Sequence, residues 1–89
     1  MLVLPATLTL TQARDTLRML EPSLRADREP VLTMDAAALQ SFDTSAVAVL
    51  LECRRLADAW GKGFALAGAP APLQELIRLY GVESLLPLA

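Results

Sequence analysis

The sequence predicts an α/β fold, a single small domain in which a small, mostly parallel sheet carries about three helices packed on it. Two observations lead there. Along 89 residues, β-prone runs alternate with stretches of helical periodicity, and parallel neighbours need crossover helices between them. The chain is also too short for a second core, because a domain of this size buries only about 60–65% of its unfolded surface. Residues 1–89 therefore read as one domain with a single layer of helices, free of repeats, linkers and low-complexity tracts.

Leu2, Val3 and Leu4, then Leu8 and Leu10, read as one short strand or two broken ones, with Pro5 confining that part to an edge or a bulge. Thr11 offers an N-cap for a first helix. In it Ala13, Leu17, Leu20 and Leu24 recur at helical spacing, while Arg14, Asp15, Arg18 and Glu21 occupy the other side. Pro22 is expected to kink or end its last part, and Asp27 to Pro30 form the polar turn that follows.

Val31 to Asp35 is apolar enough for a central strand covered on both faces. Ala36 to Phe42 is the loop leaving it. From Asp43 the pattern is helical for about seventeen residues, ending near Trp60 with Gly61 as the stop. Phe64 to Ala67, between Gly63 and Gly68, reads as another buried strand. Pro70 and Pro72 prepare the first turn of a third helix with Leu73, Leu76, Ile77 and Tyr80 on its apolar face and Gly81 as its stop. Val82 to Leu88 is apolar enough for a last short strand, with Pro87 demoting its end to an edge.

Composition narrows function. Eight basic and ten acidic residues give a net charge of −2, which provides no footprint for nucleic acid. No apolar run reaches the length of a membrane span, so direct membrane insertion is not expected. The N-terminus has no basic, apolar signal pattern and Cys53 is the only cysteine, so a cytoplasmic, reducing compartment is expected. The mean hydropathy of +0.41 is high for a small monomer and points to apolar surface that meets a partner.

No histidine is present, which closes the Ser-His-Asp and Cys-His nucleophile systems and histidine metal sites. Gly61-Lys62-Gly63 lacks the rest of a phosphate loop and reads as a helix stop and turn. Asp35 and Asp43 could face one another as a carboxylate pair, yet each occupies an ordinary turn or capping position. No catalytic residue, metal site or cofactor is expected. Cys53 falls on the apolar stripe of its helix and reads as an inert core thiol.

Asp43, Thr44 and Ser45 place three oxygen-bearing side chains where a helix start leaves N–H groups without intrahelical partners. One of them, Asp43 by preference, must cap; the others can be redundant caps or can present a hydroxyl at the positive end of the dipole, where a phosphate would be stabilised. Ala46, Val49, Leu50, Cys53, Leu56, Ala57 and Trp60 form the stripe that packs on the sheet. Thr44, Val47, Ala48, Leu51, Arg55 and Asp58 lie opposite. Val47 and Leu51 are too apolar for a solvated face, so either a neighbouring helix covers them or they belong to a docking surface with Ala48.

The run VLTMDAAALQSFDTSAVAVL, Val31 to Leu50, resembles the signature of the STAS domain family of anti-sigma factor antagonists and related transporter modules. In that family a strand ends in Asp, small residues and an aliphatic follow, and a helix then opens on Asp-Ser-Ser-Gly-Leu. Asp35, Leu39 and Asp43-Thr44-Ser45-Ala46-Val47 reproduce the spacing, and the flanking elements extend the likeness over nearly the whole chain. Two positions depart from the pattern: Ala46 replaces the usual Gly, and Thr44 stands where sporulation-type antagonists carry a phosphorylated Ser. The segment ahead of the first helix is also short for the paired strands that usually open the fold.

The resemblance implies a non-enzymatic docking module. Thr at this position is similar to the STAS subunits of Mla-type phospholipid ABC transport systems, which implies an ABC transporter ATPase subunit as partner and a place beside the inner membrane through it. The alternative is an anti-sigma factor antagonist that binds a kinase-like anti-sigma factor and is released by phosphorylation at Thr44 or Ser45. In both cases Asp43, Thr44, Ser45, Val47, Ala48 and Leu51 are the expected contact residues and Asp35 the supporting turn. The same exposed apolar helix face also offers a route to a homodimer.

Overall fold

A period of two in burial builds the central sheet. Leu32, Met34, Phe64 and Leu66 are buried, while Val31, Thr33, Asp35, Ala65 and Ala67 between them are not; alternate residues of a strand face opposite sides. In the computed structural model, which describes residues 2–89, these residues form β3 (Val31–Asp35) and β5 (Gly63–Ala67). With β1 (Leu2–Val3) they make a parallel sheet in the order β1-β3-β5. Leu2 pairs with Met34, and Leu32 with Phe64.

Three helices supply the crossovers and the cover: α1 (Leu10–Ala26), α2 (Thr44–Ala59) and α3 (Ala71–Leu79). Leu20 and Leu24 of α1, Ala46, Val49, Leu50, Cys53 and Ala57 of α2, and Leu73 and Ile77 of α3 close the core over the sheet. Burying the leucine, isoleucine and valine side chains among them stabilises the fold by roughly 1.5–3 kcal/mol each, the alanines by less. Gly61 and Gly81 stop α2 and α3 as expected, both at positive φ, which glycine adopts without a Cβ clash.

Several elements differ from expectation. β3 is central, but only one face is covered: Val3 and Val31 on the other remain 56% and 46% exposed, because all three helices lie on one side. The N-terminal segment forms two broken strands, β1 and β2 (Thr7–Leu8). The expected loop Ala36 to Phe42 ends in a strand, β4 (Ser41–Phe42), which pairs in parallel with β2. The N-cap of α1 is Thr9, not Thr11, and Leu10 opens the helix instead of closing a strand. Gln12 Oε1 accepts the Thr9 N–H at 3.0 Å, which ties that start together. Pro22 does not end α1, which continues to Ala26.

Val82 to Leu88 is not a strand. Turns at Val82–Leu85 and Glu83–Leu86 coil it, and only Leu88 reaches the edge of β5, bridging Leu66. Pro87 has no N–H to extend that pairing, so its carbonyl accepts from Leu66 N–H and Ala89 N–H returns to Leu66.

The β2–β4 pair positions the helix starts. Thr7 lies against Ser41 and Leu8 against Phe42, and each strand runs straight into a helix, so α1 and α2 begin side by side and run in the same direction. The alignment persists to their far ends, where the Arg25 guanidinium of α1 sits 5.9 Å from the centre of the Trp60 ring at the C-terminal cap of α2.

Candidate functional site

Asp43 sits in extended backbone ahead of α2, the conformation an N-cap requires. Its Oδ1 accepts the Ser45 N–H at 2.8 Å. Its Oδ2 accepts the N–H of Leu10, the first residue of α1, at 3.1 Å. One carboxylate therefore serves two helix starts, whose leading N–H groups have no intrahelical acceptor and carry the positive ends of two dipoles. The Ser45 N–H, and after it the Leu10 N–H, hold the Asp43 carboxyl below its ordinary range.

Of the three oxygen-bearing residues, Asp43 is thus the cap. Thr44 is exposed, and its hydroxyl makes no hydrogen bond among the described residues. Ser45 is half-buried and contributes its backbone N–H to the cap. A hydroxyl at the positive end of a helix, free of internal partners, is available to another molecule.

Thr44, Val47, Ala48 and Leu51 line one shallow groove, which Tyr80 at the C-terminal cap of α3 borders. The structure divides the two apolar residues expected on this face. Val47 is only 4% exposed: it is covered as a neighbouring helix would cover it and contributes a floor, not an open contact. Ala48 is exposed and Leu51 half-buried, so these two remain reachable. Tyr80 was expected on the packed face of α3, where Leu73 and Ile77 are indeed buried, but it is 55% exposed and stands at the groove. Its place there depends on how α3 lies against α2, a tertiary fact that helix period does not encode.

The remaining expected residues fall into structural roles. Asp35 Oδ1 accepts the Ala37 N–H at 2.8 Å, closing the turn out of β3. Both carboxylates considered as a pair, Asp35 and Asp43, are thus bonded to backbone N–H groups of the turns they initiate. No group of three residues suited to a metal ion occurs among the described residues. Cys53 is buried, and loss of solvation pushes its thiol up to about 12. Glu52 pairs with Arg55, and Arg54 with Asp58, as solvated pairs on α2.

Among the described residues no helix is long and apolar enough to cross a membrane. A search of curated proteins returns no match. A family model described as "Mlab, STAS domain" matches residues 1–87, and STAS domains are generally non-enzymatic binding modules. With the strand ending in Asp35, the helix opening after Asp43 and the parallel sheet all inside that match, the chain belongs to the STAS domain family.

Proposed function

We propose that the chain is the STAS subunit of an Mla-type phospholipid ABC transport system, docking on the ATPase subunit and supporting the transporter without hydrolysing ATP itself. The observation that carries this reading is the exposed Thr44 hydroxyl, set at the start of α2 that Asp43 caps and beside an apolar groove. Docking through Thr44, Ala48 and Leu51, with Ser45 and Asp43 fixing the helix start, would hold the domain against the inner membrane from the cytoplasmic side. Apolar residues at the contact suit a lasting assembly, since obligate interfaces resemble a core cut in half.

The anti-sigma factor antagonist reading uses the same surface, and the same exposed hydroxyl supports it: a phosphate on Thr44 or Ser45 would bring a dianion into a packed interface and break it. Purification of the tagged chain from its native cell separates the two. Stoichiometric recovery of an ABC ATPase supports the transporter subunit. Recovery of a serine-kinase-like protein with no ATPase would sink it and leave the antagonist.

A further inference from the structure

The two edges of the sheet are not equally safe. β1, at one end of the order β1-β3-β5, is two residues long and is soon followed by Pro5, which has no N–H; shortness and proline both blunt an edge. β5, at the other end, runs five residues, Gly63–Ala67, and no charged residue stands from Gly63 to Gly68. The Gly63 N–H donates to the Pro30 carbonyl and the Ala36 N–H to the Ala67 carbonyl. Gly63, Ala65 and Ala67 therefore turn their backbone groups toward β3, and Phe64 and Leu66 turn theirs to the free edge.

The last three residues cover half of that edge. The Leu66 N–H donates to the Pro87 carbonyl at 2.8 Å, and the Leu66 carbonyl accepts the Ala89 N–H at 2.9 Å. Among the described residues no other backbone group meets those that Phe64 turns outward. The segment is anchored just before this contact, at Leu86, which is 2% exposed. Past the anchor Pro87, Leu88 and Ala89 are exposed, and a hollow lined by Ile77, Arg78, Leu86 and Leu88 lies between them and α3. The backbone bonds to Leu66 thus hold this end more than side-chain packing does. Its own outer side presents only the N–H and carbonyl of Leu88, beside a proline that cannot donate, which is too little for another strand to pair with.

We infer that Pro87, Leu88 and Ala89 form a strap that closes the β5 edge against a second copy of this chain. Without the strap the edge is complementary to itself. Two β5 strands set antiparallel about a two-fold axis at Ala65 place Phe64 of each copy opposite Leu66 of the other, and the outward N–H and carbonyl groups of both pairs satisfy one another. Lys62 then lies opposite Gly68, so no like charges meet along the seam.

The test is sedimentation equilibrium and amide hydrogen exchange on the full chain, on a chain lacking Pro87, Leu88 and Ala89, and on Ala89→Pro, which keeps the strap but removes the N–H that reaches Leu66. Leu86 stays in all three, so a cooperative thermal transition verifies the core. The shortened chain should self-associate roughly tenfold more tightly than the full chain, with the Phe64 and Leu66 amides open to exchange when dilute and protected when concentrated. Ala89→Pro should do the same to a smaller degree. Self-association no tighter than that of the full chain overturns the inference. So does association that leaves the Phe64 and Leu66 amides exchanging freely, because the contact then lies on another surface, such as the exposed helix face. If the shortened chain does not fold, Ala89→Pro decides by the same two readouts.

Discussion

The carboxylate of Asp43 accepts the backbone N–H of Leu10 at 3.1 Å across a sequence separation of 33 residues, while its other oxygen caps α2 through Ser45. Helix capping is usually local; here one side chain joins the starts of two helices. Asp43→Asn keeps a neutral acceptor for one N–H, whereas Asp43→Ala removes both. Thermal midpoints should therefore fall in the order wild type, Asn, Ala. Amide hydrogen exchange should quicken at Leu10 as well as at Ser45. Protection at Leu10 unaltered in Asp43→Ala would mean that the link between the helices contributes nothing.

The same carboxyl sets a dependence on acid. Its pKa in the folded protein lies below the unfolded value of 3.8, so the unfolded chain takes up a proton first as pH falls. The stabilisation is fully present above pH 3.8 and is lost as pH drops toward and through the lowered folded value. Exposure to solvent and salt limits its size. Urea denaturation followed between pH 5 and pH 2 should show a steeper loss for wild type than for Asp43→Asn, whose amide does not titrate in that window.

Val47 and Leu51 lie one turn apart on α2 and should respond in opposite ways. Val47 is 4% exposed, so Val47→Ala should cost about 2 kcal/mol through lost burial and a residual cavity. Leu51 is half-buried beside the groove, so Leu51→Glu can keep its charge in water; it should fold with a stability loss of about 1 kcal/mol or less and fail to bind the partner. Denaturation and partner titration on the two variants separate a floor residue from a contact residue. A Leu51→Glu variant that binds like wild type would remove Leu51 from the face.

What the sequence made legible follows from where each signal resides. The long α2, its cap at Asp43 and its stop at Gly61 are written within one segment, as are the alternating residues of β3 and β5. The β2–β4 pair is not, because two-residue strands carry no period and their partners are far apart in the chain. One missed feature had a local sign: Thr9 and Gln12 have the spacing of a capping box, which identifies Thr9 as the cap and places Leu10 in the helix. Val31 and Thr33 are neutral enough to suit either a covered or an open face, so the one-sided cover of β3 was hidden. At the site, capping chemistry pointed to Asp43 and left the Thr44 and Ser45 hydroxyls open between redundant cap and contact, and the family resemblance singled out Thr44, whereas the burial of Val47 and the exposure of Tyr80 depend on how α3 meets α2.

Cys53 should behave as a core residue, not a reagent. Its thiol is pushed up to about 12 by burial, with the Glu52 charge adding to the effect, so the folded protein holds almost no thiolate near neutrality. A disulfide reagent at pH 8 should modify it only slowly, and rapidly once denaturant unfolds the chain. The shift also bears on alkaline stability. The unfolded thiol ionises near its ordinary value of 9.0 while the folded one stays protonated, so this contribution is whole below pH 9 and is lost between pH 9 and 12. Fast modification in native buffer would show that α2 opens at this position.

Gly61 and Gly68 offer a controlled comparison of backbone strain with crowding. Both have positive φ, 70° and 64°, so an alanine at either meets the cost of the left-handed region, about 1–2 kcal/mol. A Cβ on Gly61 would have nothing within 4 Å. On Gly68 it would come within 3.0 Å of both the Ala37 Cβ and Asp35 Oδ1, the oxygen that closes the turn out of β3. Gly68→Ala must therefore displace that turn as well as strain its own backbone, and should be the more destabilising by a further 1 kcal/mol or so. In Gly68→Ala the Ala37 amide should also lose protection from exchange, a change that Gly61→Ala should not produce. Equal losses of stability for the two variants would mean that the Asp35 turn yields without resistance and does not brace the loop leading to Asp43.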